Sequence, residues 1–228
     1  AVCRAGAAAS FAKASAGQAK KIPLYRHIAN LAGNVESLKA PLPMFNILEG
    51  GVHTDNKTNT SVQEFIVVPQ KGNFAENLVV CNRIFNNLRE NIEKNYPSTG
   101  SGQVALGDEG GFAPKIPKTE QALYLLKSAI GGQDCKIALD CAASQFHKDG
   151  KYKIDGQEFT DAGLLQFYEG LVKNFPIISI EDPFAEEDWN GFESIVRQLG
   201  DKILIVGDDL TTTNIKRIKE AHNKNACN

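Results

Sequence analysis

Two acids, Asp108 and Glu109, sit inside Gly107-Asp108-Glu109-Gly110-Gly111-Phe112-Ala113-Pro114, a loop glycine-rich enough to bring backbone and carboxylate close to a ligand. Alone, such a segment reads as an ordinary acidic turn. Three later segments change that reading. Lys136-Ile137-Ala138-Leu139 ends at Asp140, Ile177-Ile178-Ser179-Ile180 ends at Glu181, and Ile203-Leu204-Ile205-Val206-Gly207 ends at Asp208, with Asp209 beside it. All three carboxylates occupy the same place on their strand. Three carboxylates on one rim repel one another in a partly dry pocket, and a divalent cation is the usual remedy. Oxygen ligands without His or Cys favour a hard ion, Mg²⁺ before Zn²⁺. Taken singly, each acid serves equally well as a cap for the helix or turn that follows it; three in register favour a metal.

The elements that must position these acids are legible as an alternation. Helical patterns at 160–174, 188–199 and 214–223 follow or intervene between the apolar strands, which is the β-then-α order of a parallel sheet. The strands are nearly wholly apolar, so burial on both faces is expected, with the carboxyl ends converging on one ligand-binding rim. Upstream, Gln63 to Val68 has the β-branched content of a strand and stops at Pro69. Apolar residues Leu78, Cys81, Phe85, Leu88 and Ile92 recur at helical spacing within 75–96, and Thr119 is placed to cap a helix through Leu123, Leu126 and Ala129. Met44 to Leu48 is a short segment before Glu49-Gly50-Gly51-Val52-His53, and the polar stretch from Thr54 to Ser61 reads as a loop. Pro41-Leu42-Pro43 marks a domain boundary between a helical opening and everything after it.

Composition narrows the function classes. The 228 residues are 42% hydrophobic and 23% charged, an ordinary globular mixture, and the formal charge of -2 gives no reason to expect nucleic acid or an anionic membrane. No apolar run reaches the roughly 18 residues that a spanning helix needs. Five scattered cysteines (Cys3, Cys81, Cys135, Cys141 and Cys227) form no C-x-x-C pair, so they read as reduced thiols of a cytoplasmic protein. Residues 1–35 hold five basic residues and no acid. That start fits an organellar transit peptide or an Ala-rich helix followed by a second helix over 23–32, and the helical reading is favoured.

Several of these segments together resemble enolase. They are Gly107 to Pro114, Ile137-Ala138-Leu139-Asp140-Cys141-Ala142-Ala143-Ser144, Ser179-Ile180-Glu181-Asp182-Pro183-Phe184, Gly207-Asp208-Asp209-Leu210-Thr211, Pro23 to Ala29 and Gln63-Glu64-Phe65, in the family's order. The resemblance implies an α/β fold: an enolase-type (β/α)8 barrel, incomplete in this chain, over 41–228, opening with two antiparallel strands. Residues 1–40 would be the helical end of an α+β capping domain. It implies Mg²⁺-dependent interconversion of 2-phosphoglycerate and phosphoenolpyruvate by a cytoplasmic homodimer. Abstracting a proton beside a carboxylate requires positive charge where negative charge develops, and the enolase superfamily is a standing example of a Lys or His base working with Mg²⁺. Residue by residue, Asp140, Glu181 and Asp208 match the metal ligands, with Glu181 and Asp208 also bordering substrate. Glu109 matches the acid that protonates the departing hydroxyl, and Glu64 the carboxylate that assists it. To act near neutral pH, Glu109 is expected to be held partly protonated by burial or by Glu64. His53 matches a histidine on a closing loop hinged at Gly50-Gly51.

The sequence also departs from the family. Glu49 stands where enolases normally carry Asn, and Gln145 where Glu is usual; the loop between His53 and Glu64 is longer than the family's, and 11–20 reads as extra sequence. The family's catalytic lysine matches no residue here, so the chain reads as a piece of a longer enzyme. Two further readings stand beside enolase: another Mg²⁺-dependent member of the superfamily, and a noncatalytic enolase-like structural or binding protein. His27, His147 and His222 are given no catalytic role.

Overall fold

The computed structural model describes residues 22–33, 38–54, 60–96 and 104–228. The helix expected over 1–20, Cys3, and most of the polar loop after Thr54 lie outside the described residues. Contacts divide the chain into two units, Ala1–Pro41 and Leu42–Asn228. In the first, α1 (Leu24–Ala32) begins behind Pro23 and ends on Gly33, whose left-handed backbone (φ 70°) turns its amide onto the Ala29 and Asn30 carbonyls.

The second unit is built on a five-stranded sheet in the order β1 (Phe45–Glu49), β2 (Glu64–Pro69), β3 (Cys135–Asp140), β7 (Ile177–Glu181) and β8 (Leu204–Val206). β1, β2 and β3 pair antiparallel, whereas β3, β7 and β8 run parallel. α2 (Phe74–Asn95) and α3 (Thr119–Ile130) lie between β2 and β3, α4 (Asp161–Asn174) precedes β7, α5 (Trp189–Leu199) precedes β8, and α6 (Ile215–Lys224) follows it. Two antiparallel strands thus precede the regular βα units, as expected for the start of such a barrel. Among the described residues the sheet is open, with β1 and β8 as its edges.

Side chains alternate across a strand, and the apolar ones sort accordingly. Phe65, Val67, Ile137 and Leu139 enter the main core with the helices, while Ile66, Val68 and Ala138 form a small second cluster against Ile178. Glu64 and Asp140 share the parity of Ile66 and Ala138, so they stand on the face away from the helices.

Two local expectations are corrected. On α2 the buried stripe is Asn77, Val80, Cys81, Ile84, Leu88 and Ile92; Leu78 is exposed and Phe85 only partly buried, because packing against the sheet selects a face rotated from the apolar pattern. Asn77 is on that stripe because its side chain accepts from the Lys71 amide (2.8 Å) and donates to the Lys71 carbonyl (3.2 Å). Thr119 does not cap α3: Lys118 is the cap residue and its side chain makes no capping bond. Asp155 supplies the cap from elsewhere in the chain, accepting from the Thr119 amide (2.7 Å) and hydroxyl (3.0 Å), and from the Thr60 hydroxyl (3.3 Å).

Asp155 belongs to a meander that the reading of the sequence missed: β4 (His147–Lys148), β5 (Lys151–Ile154) and β6 (Gln157–Phe159). Its turns are Asp149-Gly150 and Asp155-Gly156, all four residues at φ between 52° and 79°. Paired Asp-Gly dipeptides around Lys-Tyr-Lys-Ile are the hairpin signal that the sequence carries for it. Tyr152 on β5 is fully buried; its hydroxyl donates to Asp188 (2.7 Å) and accepts from the Ala185 amide (3.0 Å). Tyr168 donates to the Pro183 carbonyl (2.8 Å), and both rings pack edge-on against Phe184. The segment leaving the end of β7 is therefore held from several sides. Gly191 on α5 is required there, since a Cβ would lie 2.5 Å from the Phe184 ring.

Thr60 and Thr119 are 3% and 0% exposed, so removing their shared acceptor leaves buried groups short of a partner. Asp155→Ala is expected to lower the unfolding free energy by about 2 kcal/mol, the sum of a lost cap and a weakened buried network. Urea denaturation followed by circular dichroism would measure it, and a change below about 0.5 kcal/mol would refute the capping role.

Candidate active site

Strand pairing sets the site. Glu49 faces Glu64, Glu64 faces Asp140, and Asp140 faces Glu181, so four adjacent strands end in one row of acids. The fifth strand breaks the pattern: Val206 faces Glu181, and Asp208 comes two residues after β8 has ended. The expectation that Asp208 occupies the same strand position as Asp140 and Glu181 is thus corrected. The reason is that β8 stops at Val206 and the chain turns away through Gly207.

Asp140, Glu181 and Asp182 each bring a carboxylate oxygen within 4.8 Å of the other two. Their backbones are joined beyond the strand ends, Cys141 donating to the Glu181 carbonyl (2.9 Å), Ala143 to Asp182 (3.0 Å) and Asp182 to Val206 (3.0 Å). Asp182, absent from the residues singled out in the sequence, is 3% exposed, and its carboxylate accepts from the amides of Asp209 (2.8 Å) and Leu210 (3.3 Å). It therefore holds the turn that carries Asp208. Asp208 itself is exposed and stands outside the grouping, although its charge helps raise the proton affinity of Glu181.

The electrostatics follow from burial without a countercharge. Desolvation, then the charges of Asp140, Asp182 and Asp208, push the Glu181 carboxyl up to about 7. Desolvation, reinforced by the charges of Asp182 and Asp209, raises Asp140 to about 6 against an opposing bond from the Ala142 amide (2.9 Å). Asp182 is likewise raised to about 6 by burial, despite its amide donors. Among the described residues no Lys or Arg makes an ion pair with any of them.

A second group lies around Glu64, where His53, Glu64 and Glu109 also bring ligand-type atoms within 4.8 Å. Glu109 is exposed at the tip of its loop, and the Asn46 amide donates to its Oε2 at 3.3 Å. Asn46 is a further residue that sequence reasoning passed over; its alternation with the buried Ile47 on β1 was the available signal. His53 sits in a single helical turn (Gly51–His53), with Nδ1 at 3.7 Å from Glu64 and 3.8 Å from Glu49, beyond hydrogen-bond length. That nitrogen is buried and unpartnered among the described residues. Of the two causes expected to act on Glu109, burial falls instead on Glu64, while Glu109 is exposed beside it. Desolvation and the charges of Asp140, Glu109, Glu181 and Glu49 push it up to about 8. Near neutral pH Glu64 thus holds a proton.

Residues 37–228 match the family model described as enolase, C-terminal TIM barrel domain. The chain belongs to the enolase family. Within this family the row of strand-end acids gains a context, and the residues present suit a hard divalent ion. The donors are all oxygen, the carboxylate of Glu181 accepts no hydrogen bond from the described residues, and one carboxylate oxygen of Asp140 likewise accepts none from them. Glu49, where enolases normally carry Asn, is 1% exposed and lies under the Glu109 loop. Gln145 is exposed on a short helical turn, Ala143–Phe146. The four described cysteines are free thiols; burial pushes Cys81 and Cys135 up to about 11, which suits the inert role expected of them. Among the described residues no helix is long and apolar enough to cross a membrane.

In the absence of divalent cation, each raised carboxyl binds its proton more tightly folded than unfolded. Stability is therefore fully present below about pH 4 and is lost as pH climbs toward 8, by up to about 1.4 kcal/mol per pH unit for each proton released. Thermal unfolding in EDTA is expected to show this fall, and millimolar Mg²⁺ to reverse most of it at pH 8 but little at pH 5. A profile that is flat between pH 5 and 8 would contradict the assigned burial.

Proposed function

We propose that the protein is an enolase in activity as well as in family: a hydro-lyase that reversibly dehydrates 2-phosphoglycerate to phosphoenolpyruvate, dependent on Mg²⁺, and working in glycolysis and gluconeogenesis as a cytoplasmic homodimer. The observation that carries this reading is the juxtaposition of two acid groups on one sheet face, one with no Lys or Arg ion pair among the described residues and one holding a proton beside an exposed carboxyl.

Asp140, Glu181 and Asp208 would hold the cation, with Asp182 fixing the turn that presents Asp208. A divalent cation bound there supplies the positive charge that stabilises electron density building up on the substrate carboxylate. Glu109 gives a proton to the departing hydroxyl, and Glu64, protonated near neutral pH, stands beside it to replenish that proton. Asn46 orients the Glu109 carboxyl. His53 has a free, buried Nδ1 directed at Glu64, and is the side chain that a small closing movement of its turn would bring onto the substrate. The base is proposed to be the family's lysine, which no residue of this sequence matches, so activity is to be measured on the longest chain its transcript encodes.

Glu49 favours a second reading, a noncatalytic enolase-like binding or structural protein, because it adds a buried acid where the family carries Asn. Turnover separates the two. The full-length protein is expected to form phosphoenolpyruvate from 2-phosphoglycerate only with Mg²⁺; binding of Mg²⁺ without turnover would sink the enzymatic reading. In the same protein Glu109→Gln is expected to lower kcat by about 10²–10⁴-fold, the usual range for a lost general acid. Mg²⁺ affinity measured by calorimetry should stay within a few-fold, and its abolition would contradict the role given to Glu109.

A further inference from the structure

The loop that carries Glu109 is sewn to β1 through its backbone. Glu49 donates its amide to the Phe112 carbonyl (2.8 Å), Phe112 to Ile47 (3.0 Å), and Asp108 to the His53 carbonyl (3.1 Å). The loop closes on itself as Gly107 donates to Gly111 (2.8 Å). This leaves the Glu109 and Gly111 amides pointing inward, and both find the same side chain. Glu49 Oε1 accepts from Gly111 at 2.5 Å and Oε2 from Glu109 at 3.3 Å, in a position where the side chain is fully shielded from solvent.

The fit is close on every side. A Cβ at Gly107 would lie 2.1 Å from Glu49 Oε2, and one at Gly111 would lie 2.7 Å from Oε1. Two of the loop's glycines are therefore needed to make room for this one carboxylate. The chemistry is equally specific. A carboxylate offers acceptors on both oxygens, whereas the amide of Gln or Asn offers one acceptor and a donor group that would face an N–H. Charge-assisted bonds to backbone amides are also about twice as strong as neutral ones.

We propose that Glu49 is the positioning residue of the acid loop: its buried carboxylate grips the Glu109 and Gly111 amides and so fixes where the Glu109 side chain meets the substrate. Glu49 touches no reacting atom. Its effect on turnover passes through the backbone of Glu109, and that part of the inference rests on the function proposed above; the grip itself does not.

The test separates the two. In the unmodified protein, amide hydrogen exchange is expected to protect Gly111 to within about tenfold of the β2 and β3 ladder amides, although it lies in a loop. Exchange as fast as that of its exposed neighbour Gly110 would overturn the grip without any variant being made. In Glu49→Gln, exchange at Gly111 and Glu109 should accelerate at least tenfold while the β2 and β3 amides stay unchanged; unchanged loop exchange would overturn the proposal. On 2-phosphoglycerate, kcat of Glu49→Gln should fall at least tenfold with KM within threefold. Glu49→Asp, which keeps both acceptors on a shorter arm, should recover part of the loss. Accelerated loop exchange with full kcat would show that the grip does not position Glu109, whereas an unmodified protein inactive on 2-phosphoglycerate but protected at Gly111 would overturn the enzymatic reading alone.

Discussion

The architecture depends on a register that places Glu49, Glu64, Asp140 and Glu181 opposite one another across four neighbouring strands. Like charges directly opposite in a ladder are destabilising, and partial burial strengthens the repulsion. A one-residue slip would disperse the row but would also turn Ile66, Val68 and Ala138 out of their cluster and bring Phe65 and Val67 out of the main core. The hydrophobic pattern of the strands therefore fixes the register, and the acids must tolerate the positions that it imposes.

Backbone amides relieve part of that cost, at two acids of the row and at Asp182 beside it. Asp140 takes the Ala142 amide, Asp182 those of Asp209 and Leu210, and Glu49 those of Glu109 and Gly111. Each donor comes from the turn that follows a strand or from a loop laid against it. Supporting these turns occupies much of the rest of the fold. Tyr152, Tyr168 and Phe184 pin the chain after Asp182, and Arg217 spans from the Leu210 carbonyl to Glu186 and Glu187 while lying over Trp189 at 5.1 Å. The Asp155 network fastens Thr60 and the start of α3 to the meander.

What could be read in the sequence was local in origin. Apolar runs ending in an acid marked β3 and β7 to within a residue of their observed ends, and Pro23, Thr160, Asp188 and Asn214, where helical patterns were read to begin, all stand at helix starts. What escaped was set by partners distant in the chain. Thr119 looks like a cap, but its cap is Asp155, 36 residues away. The buried face of α2 depends on α3 and β2, which it packs against, and the spacing of its own apolar residues does not define that face. Asp208 resembles Asp140 and Glu181 because its strand looks equally long, yet β8 ends at Val206 where pairing with β7 ends. The acid loop was recognisable as chemically unusual; that two of its glycines exist to admit Glu49 becomes visible only once β1 is beside it.

Amide donors have a consequence that side-chain cations would not. A lysine or arginine among these carboxylates would neutralise them and occupy the space in front of them, closing the rim to any ligand. Backbone N–H groups approach from behind, along the turns, and among the described residues leave an oxygen of Asp140 and the carboxylate of Glu181 without a hydrogen bond. Because partial dipoles do not cancel a full charge, the group remains strongly electronegative, as the raised proton affinities of Glu64, Asp140 and Glu181 record. Each proton neutralises only one carboxylate, whereas a single hard dication satisfies several of the carboxylates at once. The same repulsion that strains the folded sheet would thus favour a dication over the protons that otherwise relieve it, and the register that imposes the strain also aligns the donors that would receive it.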